Sequence, residues 1–196
     1  PEYRPIDKSV YSVLEENCTG LGDRPALSYF GKEYSFSELM CNIDRVASAL
    51  LGMGITKGDK VIVSLPSVPE AVELFYAINK IGAVFCGMDC RSKHDEIEEI
   101  LVQIKPKACF VSDFHLKEFT NVDSVPVICI SFMKTNSVIP SFASVFVGIF
   151  TGRTFLIARR KNFMSYQQFI RNAKDTPVEK TDLGGDEICA YFYTSG

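Results

Sequence analysis

From residue 10 to residue 131, two kinds of stretch alternate along the chain: in one, apolar residues recur every three or four positions, and in the other, short stretches are apolar almost throughout. The first kind predicts helices with one buried face, and the second predicts strands covered on both faces. Val10–Glu16 predicts a short amphipathic helix, and "ALSYF" and "EYSF" predict two strands joined by a turn at Gly31. Ser35 and Glu38 make a capping-box pair ahead of Leu39, Ile43, Val46, Ala47, Leu50 and Leu51, which share one helical face, and Gly54 closes that helix. "KVIVSLP" at 60–66 predicts a strand, Ser67 with Glu70 a second capping box, and "PEAVELFYAINKIG" the helix behind it. A strand at 83–88, a helix around 95–104 and strands at 108–112 and 125–131 continue the series. Strand–helix units repeated with short loops predict an α/β fold, with a doubly wound, mainly parallel sheet flanked by helices. For 196 residues, 46% of them hydrophobic, one domain is expected.

Two later stretches break the rhythm. Ser131–Lys174 contains no Asp or Glu but has Lys134, Arg153, Arg159, Arg160, Lys161, Arg171 and Lys174. Within it, Val138, Phe142, Val145, Phe146, Ile149 and Phe150 recur at helical spacing, and "SYQQFIRNAK" predicts a helix starting near Ser165. A core helix with solvated cations accounts for this composition. A surface for acidic lipid headgroups or a phosphorylated cofactor tail accounts for it too, which makes peripheral membrane contact through 131–174 an expectation to test. The last stretch, "ICAYFYTSG", has the uncharged run of a fully buried parallel strand leading into Thr194, Ser195 and Gly196. Small hydroxyls and glycine at a strand's carboxyl end suit phosphate oxygens, since they offer donors without bulk. Those three are the candidate cofactor-binding residues, although an ordinary turn would have the same composition.

Charge and cysteine content narrow the function classes. A net charge of -3 and a pI near 5.5 give no basic field for nucleic acid. Seven cysteines at 18, 41, 86, 90, 109, 129 and 189 form no Cys-x-x-Cys pair and lie mostly in apolar runs, as reduced thiols of a cytoplasmic protein would. His94 and His115 stand apart from any ligand spacing, so no metal site is assigned, and neither belongs to a recognisable nucleophile motif, so no catalytic residue is assigned. "KHDEIEEIL" at 93–101 reads as the solvated, dipole-favoured start of a helix. "GMGITKG" follows a helix and has Lys57 where a dinucleotide fingerprint needs glycine, so it reads as a helix stop. The N-terminal residues lack an apolar stretch fit for a signal peptide or anchor, and a cytoplasmic location is expected.

Three stretches, in order, resemble the core motifs of the AMP-forming superfamily of acyl-CoA synthetases, luciferases and peptide-synthetase adenylation domains. "YSFSELMCNIDRVASAL" is similar to the first, "GDKVIVSLPSVPEAVELFYAINKIGAVF" to the second, and "YFYTSG" to the opening of the third. The stretch "FCGMDCR" departs from the family in lacking the proline before its acidic residue. The resemblance implies that 1–196 is one α/β subdomain, the first part of the large N-terminal domain, ending at the start of the phosphate-binding loop. It also implies that the second subdomain and the C-terminal lid domain are absent. A carboxylate, most simply a fatty acid, would attack Mg-ATP to give an acyl-adenylate and pyrophosphate, and coenzyme A would then take the acyl group. Implied cofactors are thus ATP, Mg2+ and coenzyme A, with Thr194, Ser195 and Gly196 opening the loop that holds phosphates. Alone, the chain is expected to be inactive and to self-associate through surface the remainder would cover. The alternatives are a peptide-synthetase adenylation domain, a non-catalytic α/β nucleotide-binding or interaction module, and a degenerate relative kept for interaction.

Overall fold

The computed structural model describes residues 7–131, 157, 159–174 and 176–193. The expected helix at 138–150 and the residues Thr194, Ser195 and Gly196 lie outside the described residues. After the helix α1 (Val10–Asn17), the strands β1 (Pro25–Tyr29) and β2 (Lys32–Ser35) form an antiparallel hairpin. Its two turn residues, Phe30 and Gly31, both have positive φ (46° and 78°), the geometry that matches the twist of a two-residue hairpin. Helix α2 (Phe36–Gly52) follows directly, and the capping box at its start is as expected. Ser35 Oγ accepts from the Glu38 N–H at 3.2 Å, and the Glu38 carboxylate accepts from the Ser35 N–H at 2.8 Å. Leu39, Ile43, Val46, Ala47 and Leu50 are buried, but Leu51 is 42% exposed and lies off that face.

The remaining strands are β3 (Lys60–Ser64), β4 (Val84–Gly87), β5 (Ala108–Ser112), β6 (Val127–Ile130), β7 (Phe163–Ser165) and β8 (Ala190–Phe192). They form one parallel sheet in the order β7-β6-β5-β3-β4-β8. Within each apolar strand, alternate residues face opposite layers. Val61, Val63, Phe85, Phe110, Ile128 and Ile130 pack under α1, α2, α3 (Pro69–Lys80) and α5 (Tyr166–Ile170). Ile62, Val84, Cys86, Cys109, Val111 and Cys129 pack under α4 (His94–Ile104) and the 3₁₀ turn Leu116–Phe119. Helices on both faces make the sheet doubly wound, as the alternation predicts.

Three expectations need correction. Helix α3 begins at Pro69, whose fixed φ and missing N–H suit the first helical position, so Val68 is the N-cap and Ser67 falls one residue short of capping. The helix expected in "SYQQFIRNAK" is only Tyr166–Ile170, although Ser165 and Gln168 do cap it. The third correction concerns β8, which is an edge strand among the described residues, where only β4 pairs with it. Its residues are half-buried or exposed, with Phe192 at 68%, because no strand or helix covers its outer side among the described residues.

Gly82 shows why the "KIGA" turn needs glycine. It follows the α3 C-cap Ile81 at φ 74°, its N–H donates to the Asn79 carbonyl at 3.0 Å, and the next N–H, of Ala83, reaches back to Ile78 at 3.0 Å. A Cβ there would also meet Lys57 and Thr181 side chains at 3.1 Å. Gly82→Ala is expected to cost about 1–2 kcal/mol in urea unfolding; a variant as stable as the parent would refute this.

The chain between α5 and β8 crosses from one end of the sheet to the other, with no helix or strand among its described residues. It is tied down on the way. Lys174 N–H donates to Ser48 Oγ at 2.8 Å, Thr181 N–H to the Lys80 carbonyl at 2.8 Å, and Gly185 N–H to the Asp7 carboxylate at 2.9 Å. The Lys57–Glu187 ion pair at 2.8 Å and the Phe85 N–H bond to the Cys189 carbonyl at 3.0 Å complete the crossing.

Candidate functional site at the carboxyl edge of the sheet

All six strands of the large sheet run the same way, so their carboxyl ends share one edge, the place where open α/β sheets bind ligands. Ser64 ends β3, Gly87 ends β4, Ser112 ends β5 with Asp113 directly after it, and Ser131 follows β6. Ser64, Ser112, Asp113 and Ser131 are buried. Asp113 accepts from Ser131 Oγ at 3.0 Å, and its N–H donates to the Ile130 carbonyl at 3.0 Å, which joins the ends of β5 and β6. Asp89, in the loop after β4, is exposed and accepts from Arg91 Nε at 3.0 Å and from its terminal nitrogen at 2.7 Å. These bonds hold the Asp89 carboxyl down at about 2.

The sequence-predicted residues Thr194, Ser195 and Gly196 directly follow Tyr193, which leaves β8 at this same edge. Gly87 opposes Phe192 there, and the approach is close enough that a Cβ on Gly87 would sit 2.8 Å from the Phe192 ring. Phe192 in turn packs on Phe85, with ring centroids 5.9 Å apart, and Phe85 on Phe75 of α3 at 5.2 Å.

Among the described residues, hollows open beside the sheet. A largely apolar groove of about 520 Å³ runs between β1 and α3, lined by Tyr29, Pro66, Val68, Val72 and Tyr76 among others. A polar cleft of about 290 Å³ lies between α2, α3 and α5, and a third hollow of about 270 Å³ reaches from it to the end of β6. At the base of the polar cleft Glu73, 6% exposed, accepts from Asn42 Nδ2 at 2.8 Å and from the Tyr166 hydroxyl at 3.4 Å. Burial, reinforced by the nearby Glu70 carboxylate and opposed by those two donors and Arg45, pushes the Glu73 carboxyl up to about 7. Burial likewise raises the Tyr166 phenol well above its ordinary value.

Sequence reasoning missed two groups. One is Glu73, which reads in the sequence only as one residue of the predicted helix at 69–82. The other is His115, which reads as isolated but is buried, with Nδ1 2.8 Å from Ser64 Oγ and Nε2 2.7 Å from the Ser92 carbonyl. Strand-end serine was the only available signal for the second, because these partners are far apart in sequence. Of the expected reduced thiols, Cys86, Cys109 and Cys129 are buried, whereas Cys41 is exposed, and all seven are free. The acids of α4 are solvated as expected, while Ile97, Ile100 and Ile104 face the core. Among the described residues no group of three or more His, Cys, Asp or Glu could hold a metal ion, and no helix is long and apolar enough to cross a membrane. In the basic cluster at 159–161, Arg160 is ion-paired with Asp123.

Comparison with known proteins agrees with this architecture. The anthranilate CoA ligase AuaEII, solved with anthranoyl-AMP, superposes with a TM-score of 0.75 at 21% identity, covering 98% of this chain and 32% of the ligase. Acetyl-coenzyme A synthetase 2 of Zygosaccharomyces bailii is 36% identical over 99 residues, 45% of this chain and 15% of the relative. Triostin synthetase I of Streptomyces triostinicus is 38% identical over 79 residues, 40% of this chain and 15% of the relative. The chain thus spans about a third of the solved ligase, and its matches cover smaller shares of the curated relatives. The family of AMP-binding enzymes matches residues 14–196, nearly the whole length. That match over more than nine-tenths of the length shows that the chain belongs to the AMP-binding enzymes, an adenylate-forming family.

Proposed function

We propose that this chain is the first part of the N-terminal domain of an AMP-forming acid–thiol ligase, acting on a carboxylic acid such as a fatty acid. In the first step a carboxylate oxygen attacks the α-phosphorus of ATP. The bond to the bridging oxygen breaks, and acyl-adenylate and pyrophosphate result. In the second, the thiol of coenzyme A attacks the acyl carbon, a thioester forms, AMP leaves and the thiol proton is released. The observation that carries this reading is the exit of β8 at the carboxyl edge, directly before Thr194, Ser195 and Gly196, in a chain of this family. Two hydroxyls and a glycine there would offer donors to the β- and γ-phosphates and steady the departing pyrophosphate. Mg2+ would supply charge neutralisation on those phosphates, and no described residue is assigned to it.

The test is carboxylate-dependent exchange of labelled pyrophosphate into ATP by the complete protein expressed from its gene. Exchange with fatty acids, followed by thioester formation on free coenzyme A, is the expected result; the 196-residue chain alone is expected to give none. Amino-acid-dependent exchange with transfer only to a carrier protein would instead support a peptide-synthetase adenylation domain. That second reading draws on the similarity to triostin synthetase I.

A further inference from the structure

We infer that His115 is a positioning residue, which sets the loop after β4 beside the exit of β8; this rests on the ligase reading above. The loop Met88–Lys93 leaves β4 where Gly87 opposes Phe192, so it starts at the level at which Tyr193 leaves the sheet toward Thr194. Its exposed residues are Asp89 and Arg91, which pair with each other, and Lys93 at its end. At its start the loop is held by the Met88 N–H, which donates to the Val63 carbonyl at 3.1 Å, and past its end by the Ile97 N–H on the Lys93 carbonyl at 3.0 Å. In between, the chain turns through Ser92, whose N–H bonds back to the Asp89 carbonyl at 3.1 Å.

His115 ties this turn to the core from the side. The Ser92 carbonyl can only accept, so the Nε2 at 2.7 Å carries the hydrogen. In the neutral ring Nδ1 then accepts, and the Ser64 hydroxyl at 2.8 Å donates to it. Ser64 is fixed as the last residue of β3, and the ring plane is fixed by Phe119, edge-on with centroids 5.3 Å apart. A histidine is suited here because it links a rigid strand end to a loop carbonyl through one flat, stiff side chain. A buried apolar residue would cost the Ser92 carbonyl its bond and leave the Ser64 hydroxyl with only its longer 3.4 Å contact to the Asp89 carbonyl. With the tether in place, the Asp89–Arg91 pair keeps one position relative to the chain leaving β8. Without it, the charges bordering that exit move.

Three variants of the complete protein separate this role from simple packing. His115→Phe keeps the ring and loses both bonds, His115→Asn keeps reach to Ser64 alone, and His115→Gln regains reach to Ser92. In pyrophosphate exchange, His115→Asn is expected to raise KM for MgATP roughly tenfold, as for one lost hydrogen bond, and His115→Phe by more, with kcat within about twofold; His115→Gln should restore most of it. Amide hydrogen exchange of residues 89–93, measured on the same proteins, should quicken in the same order. Should His115→Phe fail to fold, Ser64→Ala, which removes the Nδ1 partner and the longer 3.4 Å bond from Ser64 Oγ to the Asp89 carbonyl, is read in its place with a smaller rise. Unchanged KM alongside quickened amide exchange would leave the tether without a functional role and overturn the proposal, as would unchanged amide exchange. A wild-type protein lacking any carboxylate-dependent exchange overturns the ligase reading and this role with it. The amide exchange then still reports separately whether His115 holds the loop.

Discussion

Asp44→Asn is expected to cost about 2–3 kcal/mol of stability, while Lys80→Met costs about 1 kcal/mol or less. The difference comes from where the two charges sit. Lys80 Nζ, at the end of α3, donates to Asp44 Oδ1 of α2 and lies 4.8 Å from the centre of the Tyr11 ring of α1. Its side chain is 5% exposed, whereas that of Asp44 is 37% exposed. Removing the carboxylate strands an ammonium that cannot reach water; removing the ammonium leaves a carboxylate that can. Burial alone lowers the lysine's pKa, but the bonds to Asp44 and Tyr11 outweigh it and raise it above the ordinary 10.5. A raised lysine value contributes stability that is fully present below its unfolded value and is lost as pH climbs through the folded one, so the pair is intact at neutral pH. Urea unfolding at pH 7 checks the ranking, and equal losses in the two variants would sink it.

Glu73 behaves in the opposite sense from most carboxylates. Its folded value of about 7 lies above the ordinary 4.5, so the native state holds a proton that the unfolded chain has already released. The contribution is fully present below about pH 4.5 and disappears as pH rises through 7, a loss of about 3 kcal/mol from this one site. Glu73→Gln keeps the shape and accepts from Asn42 but carries no charge at any pH. Relative to the parent, this variant should gain about 3 kcal/mol between pH 4.5 and pH 8, as read from urea midpoints across that range. Parallel pH profiles for parent and variant would show that the carboxyl is not raised.

How much of this was legible in the sequence depended on whether a contact was local. β3 and β5 are built on the apolar runs 61–63 and 108–111, and the reading of 108–112 coincides with the strand as formed. The Ser35–Glu38 cap was visible because its partners lie within a few residues, whereas the helix read through Gly82 stops at Lys80. β8 was read as central because an apolar run shows that a strand is sticky but not how many neighbours it has. Ser67 and Glu70 carry a capping pattern that Pro69, by starting the helix one residue later than the pattern needs, makes irrelevant. Glu73 is buried by Tyr166, and His115 is anchored by Ser64, in each case a partner from a distant part of the chain that no local periodicity could reveal. Thr194, Ser195 and Gly196 were legible only through the motif they open.

The place of β8 also dictates when the sheet can be finished. Its partner β4 is made roughly a hundred residues earlier, which at usual translation speeds is some 5–20 s of synthesis. Through that interval the outer side of β4, with Phe85 and Cys86, has no strand beside it while β3, β5 and β6 already have partners. An open parallel edge of this kind invites pairing with other nascent chains, and the pairing that closes it is among the most nonlocal in the molecule. Aggregation during expression should therefore track how quickly residues 176–193 emerge, and slow codons placed between α5 and β8 should raise the insoluble fraction.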